Sequence, residues 1–123
     1  MRDITTTEDI DLLVRKFYEQ VIPDTEIGHF FTKVADFSWE HHIPVLVSFW
    51  DSLLLGSNTY KGNPMIKHLD LNRLAPLQPR HFERWLQLWV QTVNALYTGP
   101  KADEAKSRAQ SIAQVMQYKI AQQ

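Results

Sequence analysis

Four side chains in this sequence carry chemistry beyond packing: His68, Tyr18, His42 and Trp85. His68 ends the stretch Tyr60-Lys61-Gly62-Asn63-Pro64-Met65-Ile66-Lys67-His68-Leu69-Asp70-Leu71. Lys61-Gly62-Asn63 has turn chemistry, and Pro64 suits a first helical position because its φ is already helical and it has no N–H to lose. About one helical turn follows, so His68 stands on a very short apolar segment between longer helices. That setting directs one neutral imidazole nitrogen into a pocket, the geometry an axial ligand of a planar cofactor requires. A packed, hydrogen-bonded core histidine satisfies the same pattern. Tyr18 and Trp85 each lie on the apolar face of a predicted helix, where a hydroxyl or an indole N–H seeks a partner in the protein or in a ligand.

The elements that position these groups are helical. Thr5-Thr6-Thr7-Glu8 has capping-box spacing with Thr5 as the cap. Ile10, Leu13, Val14, Phe17 and Val21 follow at helical period, and Tyr18 shares their face. Pro23 and Asp24 end this helix. Residues 25–37 are irregular, with Gly28 and the pair Phe30-Phe31 as either a cavity wall or a plug for the end of a bundle. A second helix is expected from about Trp39 to Leu55, capped by Ser38, with Trp39, His42, Leu46, Phe49, Trp50, Leu53 and Leu54 as its inward stripe. His42 then faces inward and His41 faces solvent. Pro44 interrupts the pattern: either the helix kinks there, or its regular part starts near Pro44.

Gln78-Pro79 opens a third helix with Phe82, Trp85, Leu86, Trp89, Val93 and Leu96 inward, closed by Thr98-Gly99-Pro100. The last helix, about Lys101 to Ala121, carries Ala105, Ala109, Ile112, Met116 and Ile120 on one face. No segment alternates with period two and no repeat is present, so the expected fold is all-α, one domain over 1–123. His29, His41 and His81 are read as surface or capping residues.

Composition narrows the chemistry. A chain of 123 residues with 44% hydrophobic and 22% charged residues is an ordinary globular sequence. A net charge of −1 argues against electrostatic capture of nucleic acid or of an anionic membrane. The absence of cysteine removes disulfides, thiolate nucleophiles, Cys-based zinc or iron–sulfur sites and thioether attachment of a cofactor. With no signal-like apolar core and no run of about 18 apolar residues, a cytoplasmic location is expected.

Seven ordered pieces of the chain resemble a known family: Phe17-Tyr18-Glu19-x-Val21, Ile27-Gly28-x-Phe30-Phe31, Trp39-x-x-His42, Phe49-Trp50, Leu54-Leu55-Gly56, Tyr60-x-Gly62-x-Pro64-x-x-x-His68 and His81-Phe82-x-x-Trp85-Leu86. Together they resemble the truncated haemoglobins of the third group over nearly the whole length. The other groups carry paired glycines beside the haem, and this chain has no Gly-Gly. The resemblance implies a two-over-two helical sandwich around non-covalent haem b. It implies His68 as the proximal iron ligand and Tyr18, His42 and Trp85 on the distal side. Phe31 falls where globins keep a phenylalanine against the porphyrin, and Leu46, Phe49 and Trp50 continue the distal wall. Leu71 and Phe82 complete the implied cofactor contacts. Lys67 and Arg73, and less so Lys61, are either solvated charges or partners of the haem propionates.

Two donors near a polar diatomic ligand imply high dioxygen affinity with slow release. The implied ligands are dioxygen, nitric oxide and carbon monoxide, with nitric oxide oxidation or peroxide chemistry as further activities served by a separate reductase. Two other classes stand beside this one. Glu26-x-x-His29 has the spacing used in non-haem di-iron bundles, but it is a lone copy with Gly28 inside it. A cofactor-free helical interaction module would need protein partners for every inward polar group. An absorption spectrum separates the three: a Soret band, iron without one, or neither.

Overall fold

The computed structural model describes residues 1–31, 39–57 and 77–122. Among these residues there are four α-helices and no strand: α1 (Thr7–Val21), α2 (Trp39–Leu55), α3 (Pro79–Leu96) and α4 (Pro100–Ala121). The all-α expectation holds. Helix α1 packs across both α2 and α3, while α3 pairs along α4.

The apolar period of α1 translates directly into burial. Ile10, Leu13, Val14, Phe17, Tyr18 and Val21 are all buried, which makes α1 the spine of the core. Complete burial of a side chain such as Phe17 contributes about 1.5–3 kcal/mol. The cap lies one residue later than the sequence suggests. Thr6, not Thr5, accepts from the N–H of Asp9, and Asp9 accepts from the N–H of Thr6. Asp9 wins over Glu8 because its carboxylate also takes the fork of Arg2 and the N–H of Thr5. Charge-assisted bonds of this kind are stronger than neutral ones.

The N-terminal arm ties α1 to the corner between α3 and α4. Asp3 accepts the N–H groups of Lys101 (2.9 Å) and Ala102 (2.8 Å), which would otherwise be unpaired at the start of α4. Tyr97, at the end of α3, donates its hydroxyl to the carbonyl of Asp9 at 2.9 Å. Alanines 102, 105, 109 and 113 form the buried stripe of α4 and let α3 approach closely.

Helix α2 departs from its expected face. The buried residues are Ile43, Val47, Trp50, Asp51 and Leu54. Trp39 is exposed, and His42, Leu46, Phe49 and Leu53 are half-buried. Asp51 is drawn inward, where the Thr7 hydroxyl donates to it at 3.0 Å, so the buried stripe lies to one side of the expected one. Pro44 sits inside α2, exposed, and the helix continues through it. The expected cap Ser38 lies outside the described residues, as do Lys61, Lys67, His68, Leu71 and Arg73.

Candidate functional site

Among the described residues, Ile27, Phe30, Phe31, Leu77, His81, Phe82, Trp85 and Met116 line an almost entirely apolar cavity. Its volume is about 70 Å³, and it opens in part to solvent. Three parts of the fold build it. The corner after α1 supplies Ile27, Phe30 and Phe31, the first two turns of α3 supply His81, Phe82 and Trp85, and α4 supplies Met116.

The corner is held by two local devices. Gly28 lies against the carbonyls of Val21 and Ile22 at the end of α1, where a Cβ would collide with backbone. Asp24 accepts from the N–H groups of Glu26 and Ile27, each at 3.1 Å, and its buried carboxylate is paired with Arg84 of α3 at 2.8 Å. Burial raises the pKa of Asp24, but the bonds from Arg84 and from the Ile27 and Glu26 N–H groups outweigh it, and the net position is below the usual carboxylate value. One ion pair therefore fixes the distance between two walls of the cavity.

Tyr18 is buried on α1, and its ring meets Phe31 edge-on at 5.5 Å and Phe17 at 4.8 Å. Burial pushes its phenol pKa far up, so it keeps its proton and remains a donor. Phe17 in turn meets Trp85 edge-on at 6.0 Å. Tyr18 and Trp85 thus flank the same aromatic group, and Phe31 and Trp85 share the cavity wall. Of the other residues expected near a cofactor, Phe82 lines the cavity too. Leu46 and Phe49 are half-buried against the main core, and Trp50 stacks on Trp89 at 4.4 Å inside it. His42 is half-buried on α2.

His81 is a capping residue but not a surface one. It is 8% exposed. Its Nδ1 accepts the N–H of Gln78 at 2.8 Å, so the proton of the neutral ring sits on Nε2. Arg80 lies 3.4 Å from that nitrogen, a donor facing a donor, and acts there as a repelling charge. Burial, then Arg80 and His29, lower the His81 pKa and favour the neutral imidazole. His29 and His41 are exposed as expected.

Phe30 and Phe31 take the cavity-wall alternative of the sequence reading, whereas Ile27, Leu77, His81 and Met116 are wall residues that spacing did not single out. Phe30 and Met116 were visible as apolar residues, but their convergence depends on how α4 and the corner meet α3. Among the described residues, no three His, Asp or Glu side chains converge as a metal site, and Glu26 and His29 are both exposed.

Apolar, aromatic walls with a few donors at the edge suit a flat, largely apolar cofactor. The half-buried apolar stripe of α2, Leu46, Phe49 and Leu53, adds surface of the same kind.

Comparison with known proteins agrees with this geometry. Residues 2–120 match the family described as bacterial-like globin. The chain is 36% identical over 118 residues to a group 3 truncated hemoglobin of Campylobacter jejuni, with 91% of each chain covered. It superposes on the crystal structure of group III truncated hemoglobin from Campylobacter jejuni with a TM-score of 0.86 and 33% identity. That match covers 98% of this chain and 95% of the other. Globin membership implies haem, and the cavity's donor-poor aromatic walls fit a porphyrin. The chain belongs to the bacterial-like globins, as a group III truncated haemoglobin, a family of haem-based binders of small diatomic ligands.

Proposed function

We propose that this globin holds haem b non-covalently through His68 and binds dioxygen with high affinity, retaining it through Tyr18 and Trp85. The observation that carries this reading is the shared surroundings of the two donors. Trp85 and Phe31 line one apolar cavity, and the buried Tyr18 packs against Phe31. Haem supplies, when held, an iron atom with affinity for dioxygen, nitric oxide and carbon monoxide.

The remaining work belongs to the chain. Ile27, Phe30, Phe31, Phe82 and Met116 exclude water and hold the porphyrin by apolar contact, with Leu46, Phe49 and Leu71 extending the walls. Lys67 and Arg73 pair with the propionates. The Tyr18 hydroxyl and the Trp85 N–H donate to the ligand. A hydrogen bond to a charged acceptor contributes roughly 1.5–3 kcal/mol, equivalent to a tenfold or greater change in release. Dioxygen gains negative charge on binding and carbon monoxide gains less, so the donors discriminate between them. His42, half-buried on α2, serves as a third donor or as the gate.

Slow release suits a scavenger or reaction vessel better than a carrier. The same donors serve dioxygen-dependent nitric oxide oxidation and peroxide reduction in the cytoplasm, with electrons from a separate reductase. The absence of cysteine agrees with haem held without thioether bonds. No helix among the described residues is long and apolar enough to cross a membrane.

The test is the absorption spectrum of purified protein, ferric and reduced, with and without dioxygen. A Soret band that shifts on reduction and again on adding dioxygen is expected. Iron without a Soret band, or no chromophore after reconstitution with hemin, would overturn the reading.

A further inference from the structure

Three tryptophans form a row leading away from the cavity. Trp85 is in the cavity wall. Trp89, one turn further along α3, lies parallel to it, with ring centroids 6.4 Å apart and planes at 8°. Trp50 reaches across from α2 and stacks on Trp89 at 4.4 Å and 19°. The backbones of α2 and α3 do not approach closely among the described residues, so these two indoles bridge the helices. Trp50 and Trp89 are 4% and 1% exposed, and the Trp89 N–H donates to the carbonyl of Ala105 at 3.1 Å.

Indole brings more than apolar bulk to these positions. Indole differs in being readily oxidised by one electron. A phenol, by contrast, must shed its proton on oxidation. Tyr97 donates to a backbone carbonyl, which is not a base, and the burial of Tyr18 opposes loss of its proton. An oxidised indole retains its N–H as a cation, and the negative face of a stacked neighbour stabilises that charge.

We infer that Trp85, Trp89 and Trp50 form an electron-supply row that draws oxidising equivalents out of the cavity when hydrogen peroxide reacts there, with the Trp50–Trp89 stack as the resting place of the hole. This rests on the haem reading above. Reduction of one peroxide to two water molecules takes two electrons and two protons, the protons drawn from buffered solvent. Haem, when bound, would supply one of these electrons, and Trp85 would give the other, leaving an indole radical cation. An electron then passes from Trp89 to Trp85 and another from Trp50 to Trp89. No bond forms or breaks in these two transfers, and no proton moves. Two equivalents of a one-electron reductant of the ascorbate class, one for the row and one for the cofactor, restore the resting protein. The protection falls on Tyr18 and Trp85, the donors that oxidation in the cavity would destroy.

The experiment uses ferric holoprotein treated with one equivalent of hydrogen peroxide. Freeze-quench electron paramagnetic resonance on protein with indole-deuterated tryptophan identifies the radical, and peptide mass spectrometry locates oxygenated products. A tryptophan radical and products at Trp50 and Trp89 are expected. In Trp89→Phe, with Soret band and helical circular dichroism unchanged, product at Trp50 should fall several-fold while product at Tyr18 and Trp85 rises. A tyrosyl radical in the parent protein, or undiminished product at Trp50 in Trp89→Phe, overturns the inference. If Trp89→Phe does not fold, uniform 5-fluorotryptophan, which is harder to oxidise at nearly the same shape, should lower the tryptophan radical yield and raise oxidation at Tyr18; unchanged yields overturn it equally. Absence of a Soret band overturns the haem reading and this inference together, whereas a normal Soret band with the contrary products overturns this inference alone.

Discussion

Asp24 and Arg84, sixty positions apart in the chain, form a 2.8 Å ion pair whose carboxylate is 4% exposed, and that pair spans two walls of the apolar cavity. Its partners on the other side are the N–H groups of Glu26 and Ile27, so the corner carrying Phe30 and Phe31 is referenced to α3 through one side chain. Removing Arg84 leaves a buried acceptor short of a donor. Arg84→Gln should lower unfolding free energy by about 1–3 kcal/mol in urea titration, the range for such a group. A loss within a few tenths of a kcal/mol would mean that the corner is held by packing alone.

The same pair gives a pH dependence of definite sign. The folded pKa of Asp24 lies below the ordinary aspartate value, so folding favours the carboxylate. Its contribution is complete above the unfolded pKa, and is lost as pH falls through the folded one. Stability measured from pH 6 down to pH 2 should therefore decline more steeply at the acid end in the parent than in Asp24→Asn. Parallel curves would remove Asp24 from the acid response.

Loss of the Tyr18 hydroxyl with little change of volume isolates its hydrogen bond. Tyr18→Phe should speed dioxygen release by about tenfold or more, on the roughly 1.5–3 kcal/mol scale for bonds to charged acceptors, and carbon monoxide release by less. Trp85→Phe removes the N–H but also shrinks a cavity wall, so its effect includes packing. Sharing one acceptor, the two should be non-additive in a double-mutant cycle followed by stopped-flow spectroscopy. An unchanged dioxygen off-rate in Tyr18→Phe, with haem normally bound, would remove Tyr18 from the ligand.

For His68, the expected result is loss of tight haem binding in His68→Ala, or haem that added imidazole restores. Soret titration with hemin measures it. An unchanged spectrum and iron–ligand stretch would transfer the proximal role to His42 or to the buried His81.

Haem should also contribute to stability. A group bound by the native state alone stabilises it by mass action, and emptying the cavity withdraws contacts from Phe31, Phe82, Trp85 and Met116. Differential scanning calorimetry should place the apoprotein well below the holoprotein in Tm. Equal values would make the cofactor peripheral.

The sequence by itself determined what depends on neighbours three or four residues away. The buried face of α1, the start of α3 at Gln78-Pro79 and its close at Thr98-Gly99-Pro100 all follow from local period and turn chemistry. The family was also legible, because Tyr18, Phe31, His42, His68 and Trp85 stand in order at family spacing. Three other features were decided by tertiary structure. Helix α2 turned Ile43 and Val47 inward and left Trp39 exposed, since its rotation is set by what it packs against, including the Thr7 hydroxyl on the buried Asp51. His81 became buried because the corner at Phe30 closes over its ring at 4.8 Å. The Asp24–Arg84 pair and the Trp50–Trp89 stack join residues from different elements. No periodicity encodes such meetings, which depend on the distances and angles between packed helices.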